Sequence, residues 1–256
     1  MGGSPHSAPE KPSAGPLAKT AGHDINYIAL TGALAAIGPR DGPATPPLNL
    51  VGDFGGGSLY LVFGIMAALY ERERSGRGQV VDAAIVDGVA SMMTMFTGLL
   101  PSGRISLDRE RNVLGGAAPF YRCYTCADGL DISIGPLEPQ FYADFIQRIG
   151  APDAFRDAQY DTENWQGRGE ILSNLFATRS RAEWCALLEG SDACFAPVLT
   201  TEEAPRHPHM QARGTYVERD GLMQAAPAPR FSRTPGRIAE DSDGWQRLKD
   251  WGVTLA

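Results

Sequence analysis

The sequence predicts an α/β protein built from two unlike parts, a helical first part and a mixed α+β second part. Three observations lead there. Residues 25–100 carry apolar runs of helical length separated by Gly- and Pro-dense loops. Residues 119–134 carry two short alternating segments about Asp128-Gly129, the pattern of a hairpin. Beyond them lie amphipathic stretches that begin near Glu138, Gly167 and Arg181. With 43% hydrophobic and 21% charged residues, the chain can bury a core and is not disordered throughout.

Taken in order, residues 1–14 (MGGSPHSAPEKPSA) read as a linker, tag or irregular leader. Ile25 to Ile37 reads as a helix broken near Gly32, and Gly38 to Pro47 as a loop. Leu48 to Val51 leads into the Gly-rich turn Gly52-Asp53-Phe54-Gly55-Gly56-Gly57-Ser58. The apolar run Leu59 to Tyr70 is too short to span a bilayer and reads as a buried helix, stopped by Ser75-Gly76-Arg77-Gly78. Gln79 to Ala83 is a strand candidate, and Ile85 to Leu100 a Met-rich helix carrying Met92, Met93 and Met95. After the hairpin, Glu138 to Ile149 forms a helix with Pro139 in its first turn. Helices follow over 167–178 and 181–189, the second opened by the capping box Ser180…Glu183. Ala196 to Leu199 is a strand candidate, residues 205–229 are loop-rich, and Asp243 to Trp251 is a short helix.

Charge and cysteine content narrow the function. A formal charge of -7 supplies no basic field for nucleic acid. Four cysteines and no apolar signal segment argue against secretion, so a cytoplasmic location is expected, with no membrane partner. Cys123 and Cys126 have the spacing of a zinc half-site but no matching second half, and read as free thiols. His207-Pro-His209 lacks carboxylate partners and reads as a surface loop, so no metal is expected. His23 stands at a helix start, between Gly22 and Asp24, where it serves either structure or proton transfer. The Gly52–Ser58 turn exposes backbone N–H groups at a helix N-terminus and suits an anion or oxyanion, or else packs tightly on a neighbour. Glu138, heading its helix, reads first as favourable N-terminal charge.

Several long segments together carry a resemblance. AGHDINYIALTGALAAIG, PLNLVGDFGGGSLYLVFGIMAALYERERSGRGQVVDAAIVDG, GGAAPFYRCYTCADG and the EPQFY stretch resemble the α-methylacyl-CoA racemases of the family III CoA-transferase (CaiB/BaiF) superfamily. The likeness continues through Glu183-Trp184-Cys185, Asp192-Ala-Cys194 and Pro197-Val198-Leu199, and runs from about Gly15 to the C-terminus. It implies a truncated Rossmann-like large domain with a small α+β domain. Residues 15–112 would be the remaining large CoA-binding part with its linker helix, 113–215 the small domain, and 216–256 a return segment and C-terminal helix packing on the large domain. The family's further N-terminal stretch, which holds most contacts to the CoA nucleotide, has no counterpart before Gly15.

The resemblance also implies chemistry. Its racemases interconvert 2-methylacyl-CoA epimers by 1,1-proton transfer through an enolate. His23 paired with Asp53 would be one base and Glu138 the other, with Asn49 supporting Asp53. Gly22, Asp24 and Tyr27 would line the thioester end of CoA. Because a thioester α-proton is far less acidic than any side-chain acid, the enolate oxygen needs donors, expected from the N–H groups of Asp53, Phe54 and Gly55. No cofactor is implied, CoA being part of the substrate, and the family implies an interlocked homodimer. Two alternatives stay open: a CoA-transferase using Asp53 as nucleophile, and an inactive remnant or acyl-CoA-binding protein.

Overall fold

The computed structural model describes residues 15–103, 105–238 and 244–252; the leader expected over residues 1–14 lies outside them. The chain divides into two compact units, Met1–Val198 and Leu199–Ala256. Helix and strand are mixed, as expected, and the paired strands among the described residues are antiparallel.

The first unit opens with α1 (Asp24–Leu30), which ends where Gly32 takes φ 82°, so the break lies at the glycine. A 3₁₀ turn, Leu34–Ala36, comes next. The stretch expected to be a Gly-rich turn is instead a π-helix, Leu50–Leu59, running straight into α2 (Tyr60–Ser75). Its glycines are used for close packing. A Cβ on Gly56 or Gly57 would press into Val89 or Ile85 of α3 (Ile85–Met92), and one on Gly88 would collide with the Gly56 backbone. Ile28, Ala33 and Val89 form a small core there, flanked by Val51, Ile85 and Met93.

Three expectations need correction. The run Leu59 to Tyr70 is not a buried helix: no residue of α2 is buried, and Phe63 and Tyr70 are 73% and 68% exposed. Nothing among the described residues covers it. The continuous helical stretch Leu50–Ser75 also has the length and apolarity to cross a membrane. Glu71, Arg72, Glu73 and Arg74 fall inside that length, and its π-helical part packs on α3, which argues for a protein-facing element. Gln79 to Ala83 forms no strand, having no described neighbour to pair with. The single helix expected over 85–100 bends by 42° into α3 and α4 (Thr94–Leu99), where Thr94 Oγ1 donates to the Ser91 carbonyl at 2.6 Å.

The second part of this unit holds the larger core. Strands β1 (Arg122–Thr125), β2 (Asp131–Ile134) and β3 (Phe195–Pro197) form a sheet in that order, with Cys123 opposite Ser133 and Ser133 opposite Ala196. Gly129, at φ 76°, closes the expected hairpin. Helices α5 (Pro139–Ile149), α6 (Trp165–Phe176) and α7 (Arg181–Leu188) cover the sheet. On α5, Tyr142, Phe145, Ile146 and Ile149 recur at helical spacing and are the buried face. Trp184 is buried with its ring centroid 4.9 Å from that of Phe176, and its Nε1 donates to the Phe176 carbonyl at 2.9 Å. The capping box forms as read: Glu183 N–H donates to Ser180 Oγ, and Ser180 N–H to the Glu183 carboxylate.

In the second unit, a stretch expected as loop carries α8 (Pro208–Arg213) and the hairpin β4 (Tyr216–Arg219) and β5 (Leu222–Ala225). Asp220 and Gly221 both take positive φ, 52° and 76°, as a two-residue hairpin turn requires. α9 (Gly244–Asp250) lies within the helix expected near the C-terminus.

Two outcomes test this packing and capping. Phe176→Ala empties the centre of the aromatic cluster and is expected to cost about 3–5 kcal/mol, read from denaturant unfolding. Hydrogen bonds from Ser180 hold the Glu183 carboxyl below its usual range. Its folded pKa is depressed, so this stabilisation is present above the unfolded value and lost as pH falls through the folded one. Glu183→Gln is expected to shrink the loss of denaturation midpoint between neutral and acid pH.

Candidate functional site

Two stations carry the residues singled out by sequence, both within the first unit. At the first, the start of α1 meets the π-helix. Asp24 is buried, and its Oδ2 accepts the Asp53 N–H at 2.6 Å. This bond joins the stretch bearing His23 to the stretch bearing Asp53. Gly52 lies so close behind it that a Cβ there would collide with the Asp24 carboxylate. His23 is the exposed N-cap of α1, and its N–H donates to Asn26 Oδ1 at 3.0 Å. No direct hydrogen bond between the His23 and Asp53 side chains is formed among the described residues.

The neighbours of Asp53 follow from the π-helix. Asn49, its N-cap, donates from Nδ2 to Asp53 Oδ2 at 3.3 Å, so the support expected of Asn49 is placed by one helical step. Ser58 Oγ donates to the Asp53 carbonyl at 2.8 Å. Two of the three backbone donors expected to hold an oxyanion are engaged within the chain. The Asp53 N–H goes to Asp24 and the Phe54 N–H to the Asn49 carbonyl at 3.2 Å, while Gly55 sits inside the π-helix with the Met92 side chain against it. The expected cradle is corrected for a physical reason: the Phe54 amide is used within the helical segment and the Asp53 amide is taken by the Asp24 carboxylate, where an open turn would leave both free.

Gly22 and Tyr27 are brought together, Tyr27 Oη donating to the Gly22 carbonyl at 3.0 Å. They line one side of a cavity of about 520 Å³ with Leu17, Asn26, Leu30 and Ile85. A second cavity, of about 320 Å³, is apolar and lined by Val51, Met92, Met93 and Phe96 among others.

Glu138 forms the second station, on the α+β part. It caps α5 with its backbone while its side chain makes no capping bond, leaving the carboxylate exposed. The loop before it is clamped. Buried Gln159 donates from Nε2 to the carbonyls of Pro136 and Leu137 at 3.0 and 2.9 Å, and Tyr160 Oη donates to the Leu137 carbonyl at 2.8 Å. Burial first, and then the Glu138 charge, push up both the Tyr160 hydroxyl and the Cys194 thiol. Sequence reasoning missed Gln159 and Tyr160 because no local pattern ties them to Glu138. No described contact links Glu138 to His23 or Asp53.

The cysteines are free, and burial, with nearby carboxylates, raises the thiols, that of Cys126 to about 11. No group of three or more His, Cys, Asp or Glu able to hold a metal ion occurs among the described residues. Gln159→Leu is expected to leave the Pro136 and Leu137 carbonyls without that donor and to cost about 1–3 kcal/mol in denaturant unfolding.

Comparison with known proteins gives consistent results. CoA-transferase family III matches residues 12–242. The chain is 43% identical over 222 residues to alpha-methylacyl-CoA racemase of Mus musculus and 40% identical over 227 residues to that of Homo sapiens. Each alignment covers 86% of this chain but 58% of the relative, so the chain spans little more than half their length. A CAIB/BAIF family protein from Brucella suis superposes with a TM-score of 0.72 at 20% identity, covering 94% of this chain and 65% of that one.

Proposed function

The chain belongs to CoA-transferase family III, and from that premise we propose that it serves the racemisation of 2-methylacyl-CoA thioesters by 1,1-proton transfer. The observation that carries the reading is the Asp24–Asp53 bond, which brings the His23 and Asp53 stretches to one station. Similarity to the two mammalian racemases supports it.

The steps follow from the side chains. A neutral His23 imidazole takes the C2 proton from one face of the thioester, and the electron pair left at C2 delocalises onto the carbonyl oxygen as an enolate. Asp53, held by Asn49, favours the imidazolium that results. A protonated Glu138 returns a proton to the opposite face, and the other epimer runs the same sequence in reverse. With the Asp53 and Phe54 amides engaged, the first turn of α1, at Asp24 and Ile25, offers the unpaired N–H groups of a helix start to the enolate oxygen. The cavity beside Gly22 and Tyr27 suits the thioester end of CoA, and the Met92–Phe96 cavity suits an apolar acyl chain. No cofactor is required by these steps. Assembly as a homodimer belongs to the same proposal, and the uncovered apolar side chains of α2 support it.

A second reading draws on Asp53 itself, a partly exposed carboxylate supported by Asn49, and on relatives named CoA-transferases. There Asp53 attacks the thioester carbonyl and expels CoA thiolate; the thiolate attacks the Asp53 carbonyl of the anhydride, releasing the first acid and leaving an Asp53–CoA thioester, and an incoming carboxylate forms a second anhydride there and leaves with CoA as the thiolate returns to its acyl carbonyl.

Incubation with (2R)- or (2S)-2-methylacyl-CoA in heavy water separates the two. The racemase reading predicts deuterium at C2 of both epimers, with His23→Ala and Glu138→Gln each slowing racemisation by about 100-fold or more. Exchange of acyl groups between CoA and a free acid, with C2 hydrogen retained, sinks the racemase reading and supports the transferase.

A further inference from the structure

We propose that Asp24 is a positioning residue, whose buried carboxylate holds Asp53 in register with His23 through the Asp53 amide. This rests on the proton-transfer reading and gives the Asp24 side chain a role behind the pair, separate from that of its backbone N–H.

The placement argues for it in three ways. Asp24 is the first residue of α1, adjacent to His23, yet its side chain turns inward and is 8% exposed. Oδ2 accepts the Asp53 N–H at 2.6 Å, a charge-assisted length. Gly52 presses against the carboxylate so closely that a side chain there has no room. The contact is therefore shaped from both sides, by the inward carboxylate and by the missing Cβ.

The second oxygen gives the independent observation. Oδ1 is buried and accepts from no group among the described residues. An unsatisfied buried carboxylate oxygen is costly, and an asparagine or serine could accept the same amide at lower cost. A carboxyl group is instead kept directly behind the turn that bears Asp53. Without it the π-helix loses its only side-chain acceptor from α1 among the described residues, and Asp53 can slide relative to His23. Misplacement on the order of 1 Å at such a pair is enough to slow proton transfer on the order of 100-fold.

Three full-length variants test this. Asp24→Ala removes the acceptor, Asp24→Leu removes it while filling the space, and Asp24→Asn keeps an oxygen for the amide. The first readout is the Asp53 amide in ¹⁵N-labelled protein. It should resonate downfield and exchange slowly in wild type and Asp24→Asn, and move upfield and exchange at least about tenfold faster in Asp24→Leu. Amides of the β1–β3 sheet should stay unmoved, which reports that the variant is folded; should the alanine variant not fold, the leucine and asparagine variants decide. The second readout is C2 exchange, where kcat should fall on the order of 100-fold in Asp24→Leu with KM nearly unchanged, and recover in part in Asp24→Asn, which keeps the acceptor but not the carboxyl group. An Asp53 amide indifferent to Asp24→Leu overturns the proposal. So does a raised KM at constant kcat, which would make Asp24 a substrate contact. Wild-type protein that shows no C2 exchange defeats the racemase reading alone, while the amide readout still decides the positioning role.

Discussion

The hydrogen bond from the Asp53 amide to the Asp24 carboxylate is the constraint on which the first half of the chain turns. It fixes the start of α1 on the π-helix, and the π-helix in turn fixes α3 through glycines that allow backbone contact. Gly52, Gly56 and Gly88 each stand where a Cβ would meet an atom of the neighbouring element. The apolar core around Ile28 and Val89 is small, so close backbone approach and one buried charge do much of the positioning that a larger core would do elsewhere.

The α+β part is organised by different physics. Its core is large and aromatic, with Phe120, Phe145, Phe176 and Trp184 buried among three helices and a sheet. The loop that ends at Glu138 is held against this core by Gln159 and Tyr160, which donate to successive backbone carbonyls. The loop so held leaves the Glu138 carboxylate exposed at the head of α5, as the proposed proton exchange requires. The two stations are thus built separately, one on a short charge-assisted bond and the other on a packed aromatic layer.

The uncovered face of α2 belongs with the chain's length relative to its relatives. Leu61, Val62, Phe63, Ile65, Met66 and Leu69 lie exposed along one helix, while the chain spans 58% of the mammalian racemases it matches. An apolar helix of this kind is stable in water only when something covers it. Local pattern reads α2 as a core element, yet nothing among the described residues covers it.

What the sequence by itself determined was local. Helix starts followed from Pro139 and the Ser180–Glu183 box, the β1–β2 hairpin from Asp128-Gly129, and the buried face of α5 from apolar spacing, because each depends on residues a few positions apart. The His23, Asp53 and Glu138 positions were singled out only through long family segments. The Asp220-Gly221 turn was equally local, and that signal could have revealed the second hairpin, whose strands show no apolar alternation. Only the tertiary structure decided that the glycines after Asp53 form a π-helix packed on α3, that the Asp53 and Phe54 amides are already engaged, and that Gln159 holds the loop before Glu138. Each of these depends on an acceptor or neighbour brought close by folding, and a buried carboxylate 29 residues away leaves no trace in the spacing of the residues it holds.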